Sequence, residues 1–271
     1  MPSSPLLVFD FDGVLVDGMA EYWWSARRAA EALAADQPGM SLSLPEQAPA
    51  GFARLRPLIH KGWEMVLMAA ELGRPDFDLE GTLAHYDRGL AEALVRWGWE
   101  PAQLQRALET VRSEAIGTDL PAWLALHRFY PGVVDRLAGL EQEGADWAVL
   151  TTKGGAFAAR LLAAAGLTPA RLFGHEQGSK PEVLLQLVAE AAAQGAAQGE
   201  ARGEQPARPL WFLEDRRPTL ELVRGTPGLE RVRCYLVAWG YLAPGDDENL
   251  EAVGIRWLEP DRFAAPLAQW P

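Results

Sequence analysis

The sequence predicts an α/β protein: a parallel sheet whose first strand is separated from the others by an all-helical insertion. Three observations carry this reading. A short apolar run, Leu6–Phe9, leads directly into acids. Residues 18 to about 127 then carry helical pattern throughout. From Tyr130 onward, apolar strand-like runs alternate with helical stretches, which implies a parallel sheet covered on both faces.

Taken in order, "LLVF" is short, continuous and apolar, as a fully buried strand requires. "EYWWSARRAAEALAA" has helical composition with a mixed apolar face. Residues 38–50, rich in Pro, Ser and Gly, read as a loop. "RPLIHKGWEMVLMAAELG" reads as a second helical segment closed by Gly73, and "GTLAHYDRGLAEALVRWGW" as a third. "PAQLQRALETVRSEAI" opens with Pro, which suits a helix's first turn. Beyond the insertion, "YPGVVDRLAGLEQEG" is a turn and helix, "WAVLT" a strand, "GGAFAARLLAAAGL" a helix and "RLF" a short strand. "KPEVLLQLVAEAAAQ" is a helix, "PLWFLED" a strand, "RRPTLELVRG" a short helix and "RCYLVAW" a strand. Residues 190–208 are low in complexity and fit a helix extension or a loop.

Composition narrows the class of function. An apolar fraction of 49% supports a substantial core. The net charge of −12 argues against nucleic acid or an anionic membrane as a general partner. No apolar run is long enough to span a bilayer, and the N-terminus lacks the basic region of a signal peptide. A soluble, cytoplasmic protein is expected. Cys234 is the sole cysteine, read as a small core residue. The four histidines are dispersed and show no metal spacing, and the eleven tryptophans read as packing residues. Of 25 basic residues only Lys61, Lys153 and Lys180 are lysine. A position that stays Lys in so arginine-rich a chain is a candidate for needing a compact ammonium.

The chemistry gathers at the strand ends, where open parallel sheets bind ligands. The first strand ends in Asp10 and Asp12, "WAVLT" in Thr151 and Thr152, and "PLWFL" in Glu214 and Asp215. "GSKP" sets Lys180 just before a helix. Carboxylates crowded on one sheet edge raise each other's pKa unless a cation neutralises them, and hard oxygen donors suit Mg²⁺. Such a metal beside a Lys, a Thr hydroxyl and free N–H groups suits a phosphoryl group. Each piece also has a plain reading: a polar turn at Asp10–Gly13, helix caps at Thr151 and Thr152, surface for Lys180, a helix start at Glu214–Asp215. Asp17 reads as a helix cap or a hinge residue.

These motifs resemble the haloacid dehalogenase superfamily, the aspartate-nucleophile phosphohydrolases. "DFDGVLVD" is similar to its first signature, "WAVLTTK" to the second, "GSKPEVL" to the third and "LWFLEDRRPTL" to the acidic fourth; "YPGV" also recurs there. "FLEDRRPTLELV" with "YLVAWGY" resembles a branch from photosynthetic organisms. The resemblance implies a Rossmann-like core, 1–17 and 128–271, with a helical cap, 18–127. It implies Asp10 as nucleophile and Asp12 as acid and base, with Thr151, Thr152 and Lys180 on the phosphoryl group. Mg²⁺ would sit between the Asp10 carboxylate, the Asp12 carbonyl and Asp215, with Glu214 a further candidate ligand. The family's second acid, four or five residues past position 215, is here Thr219 or Leu220. In the cap, Arg56 and Lys61 are candidates for recognising an anionic part of a small phosphorylated metabolite. The expected activity is a Mg²⁺-dependent phosphatase; the alternatives are a phosphomutase or a catalytically weak binding or regulatory subunit.

Overall fold

A computed structural model describes residues 4–202 and 208–271. The chain forms two compact units, one of residues 1–17 with 129–271 and one of residues 18–128.

In the first unit, β1 (Leu6–Phe9) is followed by the short β2 (Val16–Asp17), which pairs with β3 (Arg128–Phe129). β4 (Asp146–Leu150), β5 (Arg171–Phe173), β6 (Leu210–Glu214), β7 (Arg233–Val237) and β8 (Ile255–Leu258) complete a six-stranded sheet in the order β5-β4-β1-β6-β7-β8. Every pairing is parallel. Leu6 is level with Asp146 on one side and Leu210 on the other, and Phe9 with Val149 and Leu213. One residue beyond those pairs come Asp10, Leu150 and Glu214. The chain runs outward from β1 to β4 and β5, then returns to β6, so strand order reverses beside β1. Ligands in such sheets bind at that reversal, outside the strands' carboxyl ends.

β1 is buried on both faces, which explains its unbroken apolar run. Val8 belongs to a cluster with Phe212, Val183 and Leu184. On the opposite face Phe9 meets Trp147 and Phe263 edge-on, both at 6.3 Å between ring centroids. β8 was not expected from sequence. It is an edge strand in which Arg256 faces water while Ile255 and Leu258 are buried, so its apolar signal is thin.

The second unit is helical. α1 (Met19–Ala35), α2 (Ala50–Leu55), α3 (Gly62–Leu72), α4 (Leu79–Ala84), α5 (Tyr86–Trp97) and α6 (Pro101–Leu124) follow one another. α3 is buried from Glu64 to Glu71, on all sides, as befits a central helix. Two expected helical segments are each divided. Within 56–73, a 3₁₀ turn at Arg56–Leu58 ends in the extended Ile59, and α3 starts afresh after Lys61. The Glu64 carboxylate fixes that start by accepting the His60 N–H at 2.8 Å. Within 81–99, His85 leaves helical geometry (φ −141°, ψ 56°) and separates α4 from α5. α6 outruns its expected end and kinks at Asp119, two residues before Pro121. Its Arg112 forms a buried two-pronged ion pair with Glu21 of α1, both contacts 2.7 Å.

The remaining helices flank the sheet: α7 (Val133–Leu140), α8 (Gly155–Ala164), α9 (Lys180–Arg202), α10 (Arg217–Gly225) and α11 (Pro260–Ala264). α9 carries helix well into the 190–208 stretch; residues 203–207 of that stretch lie outside the described residues.

Candidate functional site

The ends of β1, β4 and β6 bring Asp10, Asp12, Thr151, Lys153, Glu214 and Asp215 out of water, all of them buried. Asp10 sits on the strand line, its N–H donating to Leu213 O at 2.9 Å. Lys180 opens α9 and reaches back between two acids. Its Nζ is 2.8 Å from Asp10 Oδ1 and 2.5 Å from Glu214 Oε2.

These contacts set the ionisation of the group. Burial, then the charge of Glu214, pushes Asp10 up to about 7, against the pull of Lys180. Burial alone would lower Lys180, but Asp10 and Glu214 outweigh it and hold it above the ordinary lysine value. Burial likewise works against ionised Glu214, yet Lys180 wins and keeps it below the usual carboxylate range. Glu214 is further held by the N–H groups of Asp215 and Arg216, both donating to Oε1 at 3.2 Å. It thus orients the lysine and the turn into α10 together.

A second lysine completes the arrangement. Lys153 is buried and its Nζ donates to Asp12 Oδ1 at 3.2 Å. Its N–H donates to Thr151 Oγ1 at 3.0 Å, which leaves the hydroxyl proton of Thr151 to donate elsewhere. Lys153 was not among the residues assigned a role from sequence. The signal that marks it is the scarcity of lysine: two of the chain's three lie in this site.

Asp215 is positioned by backbone. Its Oδ2 accepts the Tyr241 N–H at 2.8 Å. A Cβ on Gly13 (φ +94°) would fall 1.9 Å from that same oxygen, and one on Gly240 would fall 2.2 Å from Asp215 Cβ. Only glycine permits both approaches.

The donor set fits a divalent cation. Asp10, Glu214 and Asp215 each bring a carboxylate oxygen within 4.8 Å of the others. With all four carboxylates ionised, Asp10, Asp12, Glu214 and Asp215 against Lys153 and Lys180 leave a formal charge of −2, which a doubly charged ion balances. Oxygen donors of this kind suit a hard divalent cation.

Thr152 is exposed, and α8 begins beyond it at Gly155 with Gly154 as its cap, so neither threonine caps that helix. The Gly155 N–H is taken by Glu176, at 3.1 and 3.2 Å. Thr219 lies half-buried in the first turn of α10. On the helical unit Arg56 is buried with its guanidinium 4.9 Å above the Tyr22 ring, while Lys61 is exposed at the start of α3.

A family model for haloacid dehalogenase-like hydrolases matches residues 5–197. The chain belongs to that family. It is a hydrolase, and hydrolases of this family generally use a divalent metal. No curated protein matches the chain. Among solved structures, a predicted phosphoglycolate phosphatase from Haemophilus somnus 129PT is similar over 97% of this chain and 96% of its own, at 17% identity and a TM-score of 0.57. A predicted phosphatase from Clostridium acetobutylicum is similar over 95% and 94%, at 12% identity and a TM-score of 0.55. A Thermotoga maritima protein predicted to be a β-phosphoglucomutase covers 96% of each chain at 17% identity, with a TM-score of 0.50. At these identities the likeness is one of fold. Among the described residues no helix is long and apolar enough to cross a membrane.

Proposed function

We propose that the chain is a Mg²⁺-dependent phosphatase that hydrolyses a small phosphorylated metabolite through an aspartyl-phosphate on Asp10. The observation that carries this reading is the pairing of Asp10 with Lys180 beside Asp12 with Lys153, at the strand-order reversal of the sheet. Structural neighbours named as phosphatases support it.

In this reading an Asp10 oxygen attacks phosphorus as the bond to the leaving oxygen breaks. Asp12 gives its proton to that oxygen, then takes a proton from the water that hydrolyses the acyl phosphate. Lys153 orients the Asp12 carboxyl for both transfers. Thr151 and Lys180 hold phosphoryl oxygens, with Lys180 aimed by Glu214. Asp10, Asp215, the Asp12 carbonyl and Glu214 would hold Mg²⁺, which when bound neutralises charge on the phosphoryl oxygens. On the helical unit, Arg56 recognises an anionic part of the substrate, since guanidinium suits a two-pronged oxyanion contact.

The test is phosphate release from a panel of phosphorylated metabolites with Mg²⁺ and with chelator. Steady, chelator-sensitive release supports a phosphatase. Conversion to an isomeric phosphoester without net release points to a mutase. No turnover across the panel overturns the phosphatase reading.

A further inference from the structure

The segment Trp239–Tyr241 lies just past β7 and takes no part in the chemistry above. It nevertheless makes three bonds to the elements that do. The Trp239 indole N–H donates to Val14 O at 3.0 Å. The Tyr241 N–H donates to Asp215 Oδ2 at 2.8 Å, and its phenol donates to Asp17 Oδ1 at 2.9 Å. Gly240 fits between them, where a Cβ would lie 2.7 Å from Gly13 O and 2.2 Å from Asp215 Cβ. The loop after the nucleophile, residues 13–17, is itself tied down by the Gly13 N–H to Val16 O at 2.9 Å.

One residue therefore touches two carboxylates with different duties. Asp215 is fully buried in the candidate metal cluster. Asp17 ends β2 and is the last residue of the α/β unit before the chain enters the helical one. A single planar side chain, rigid between its backbone and its hydroxyl, spans them.

We propose that Tyr241 is a positioning residue that couples the Asp215 carboxylate to the exit of the chain at Asp17. Its main chain fixes one Asp215 oxygen, and its phenol fixes where that main chain sits relative to the loop after Asp10. A cation that draws on Asp215 then also orders residues 13–17, and by linkage the order of that loop strengthens the cation's binding. The proposal rests on the metal reading of the cluster and does not require the phosphatase reading.

The test uses the full chain and Mn²⁺ as the probe, with free Mn²⁺ counted from its EPR signal. Tyr241→Phe keeps the backbone bond and the ring but loses the link to Asp17; Asp17→Asn weakens the same link from the other end. Each should raise the Mn²⁺ Kd about threefold to tenfold, and the double variant should be no worse than the weaker single. Hydrogen exchange should show that Mn²⁺ protects amides of residues 13–17 in the parent but not in Tyr241→Phe. Tyr235→Phe removes another phenol, which donates to Pro271 O at 2.9 Å, and serves as control. Its Kd should match the parent's. An unchanged Kd in Tyr241→Phe, an equal loss in Tyr235→Phe, additive losses in the double variant, or no Mn²⁺ binding by the parent each overturns the proposal. If the coupling holds but the parent releases no phosphate from any substrate, the phosphatase reading falls and this one stands.

Discussion

Replacing Gly13 by alanine tests how tightly the candidate site is built. Gly13 has φ +94°, where an L side chain is strained by ~1–2 kcal/mol. Its new Cβ would also lie 1.9 Å from Asp215 Oδ2, 2.5 Å from Asp215 Cγ and 2.9 Å from Tyr241 Cδ2. Relief requires the carboxylate to move by ~1 Å, a misplacement that costs catalysis about 10²-fold. Overpacking of a buried site adds ~1–3 kcal/mol of destabilisation. Gly166→Ala isolates the backbone term, because Gly166 lies in the same unit with φ +70° and nothing within 4 Å of its Cβ position. The assays are equilibrium urea unfolding followed by circular dichroism, and hydrolysis of a small aryl phosphate at saturating Mg²⁺. Gly166→Ala should lose ~1–2 kcal/mol and keep its rate, whereas Gly13→Ala should lose ~2–5 kcal/mol and most of its rate. Equal midpoints for the two variants, with the rate of Gly13→Ala near that of the parent, would falsify the reasoning.

Asp10→Asn should fold, since the side chains are nearly isosteric, and should release no phosphate, because an amide cannot form the aspartyl-phosphate; near-parental turnover sinks the covalent mechanism. Arg56→Ala should raise KM for the preferred metabolite and barely alter hydrolysis of a small aryl phosphate, and equal losses on both would instead mark Arg56, buried against Tyr22, as a packing residue. Thr219→Asp adds a carboxylate four residues past Asp215, in the first turn of α10, and should lower the Mg²⁺ concentration for half-maximal rate; a titration with an unchanged or higher midpoint shows that position 219 does not reach the ion. Burial pushes the Cys234 thiol up to about 12, so at pH 8 it should stay unreacted with a disulfide reagent in the folded protein and react once urea unfolds it.

The sequence by itself determined that this chain is a parallel α/β core interrupted by helices, and which side chains stand at its strand ends. Strands buried on both faces must be continuous apolar runs, so β1, β4, β6 and β7 announce themselves. In a parallel sheet the residues that follow such runs share one edge, which is why Asp10, Thr151, Glu214 and Asp215 could be placed together from order alone. The edge strand β8 was hidden because one face of it meets water. The break at His85 depends on backbone angles that no residue pattern declares. What only the tertiary structure decided are the partnerships within the site. Lys153 meets Asp12 across 141 residues of chain, and Tyr241 meets Asp17 across 224. The close approach of Gly13 and Gly240 to Asp215 is likewise a matter of three loops from different strands. Local pattern fixes which elements form because periodicity and propensity act within a few residues. Which ammonium neutralises which carboxylate is settled by burial and distance, and those exist only once the strands lie side by side.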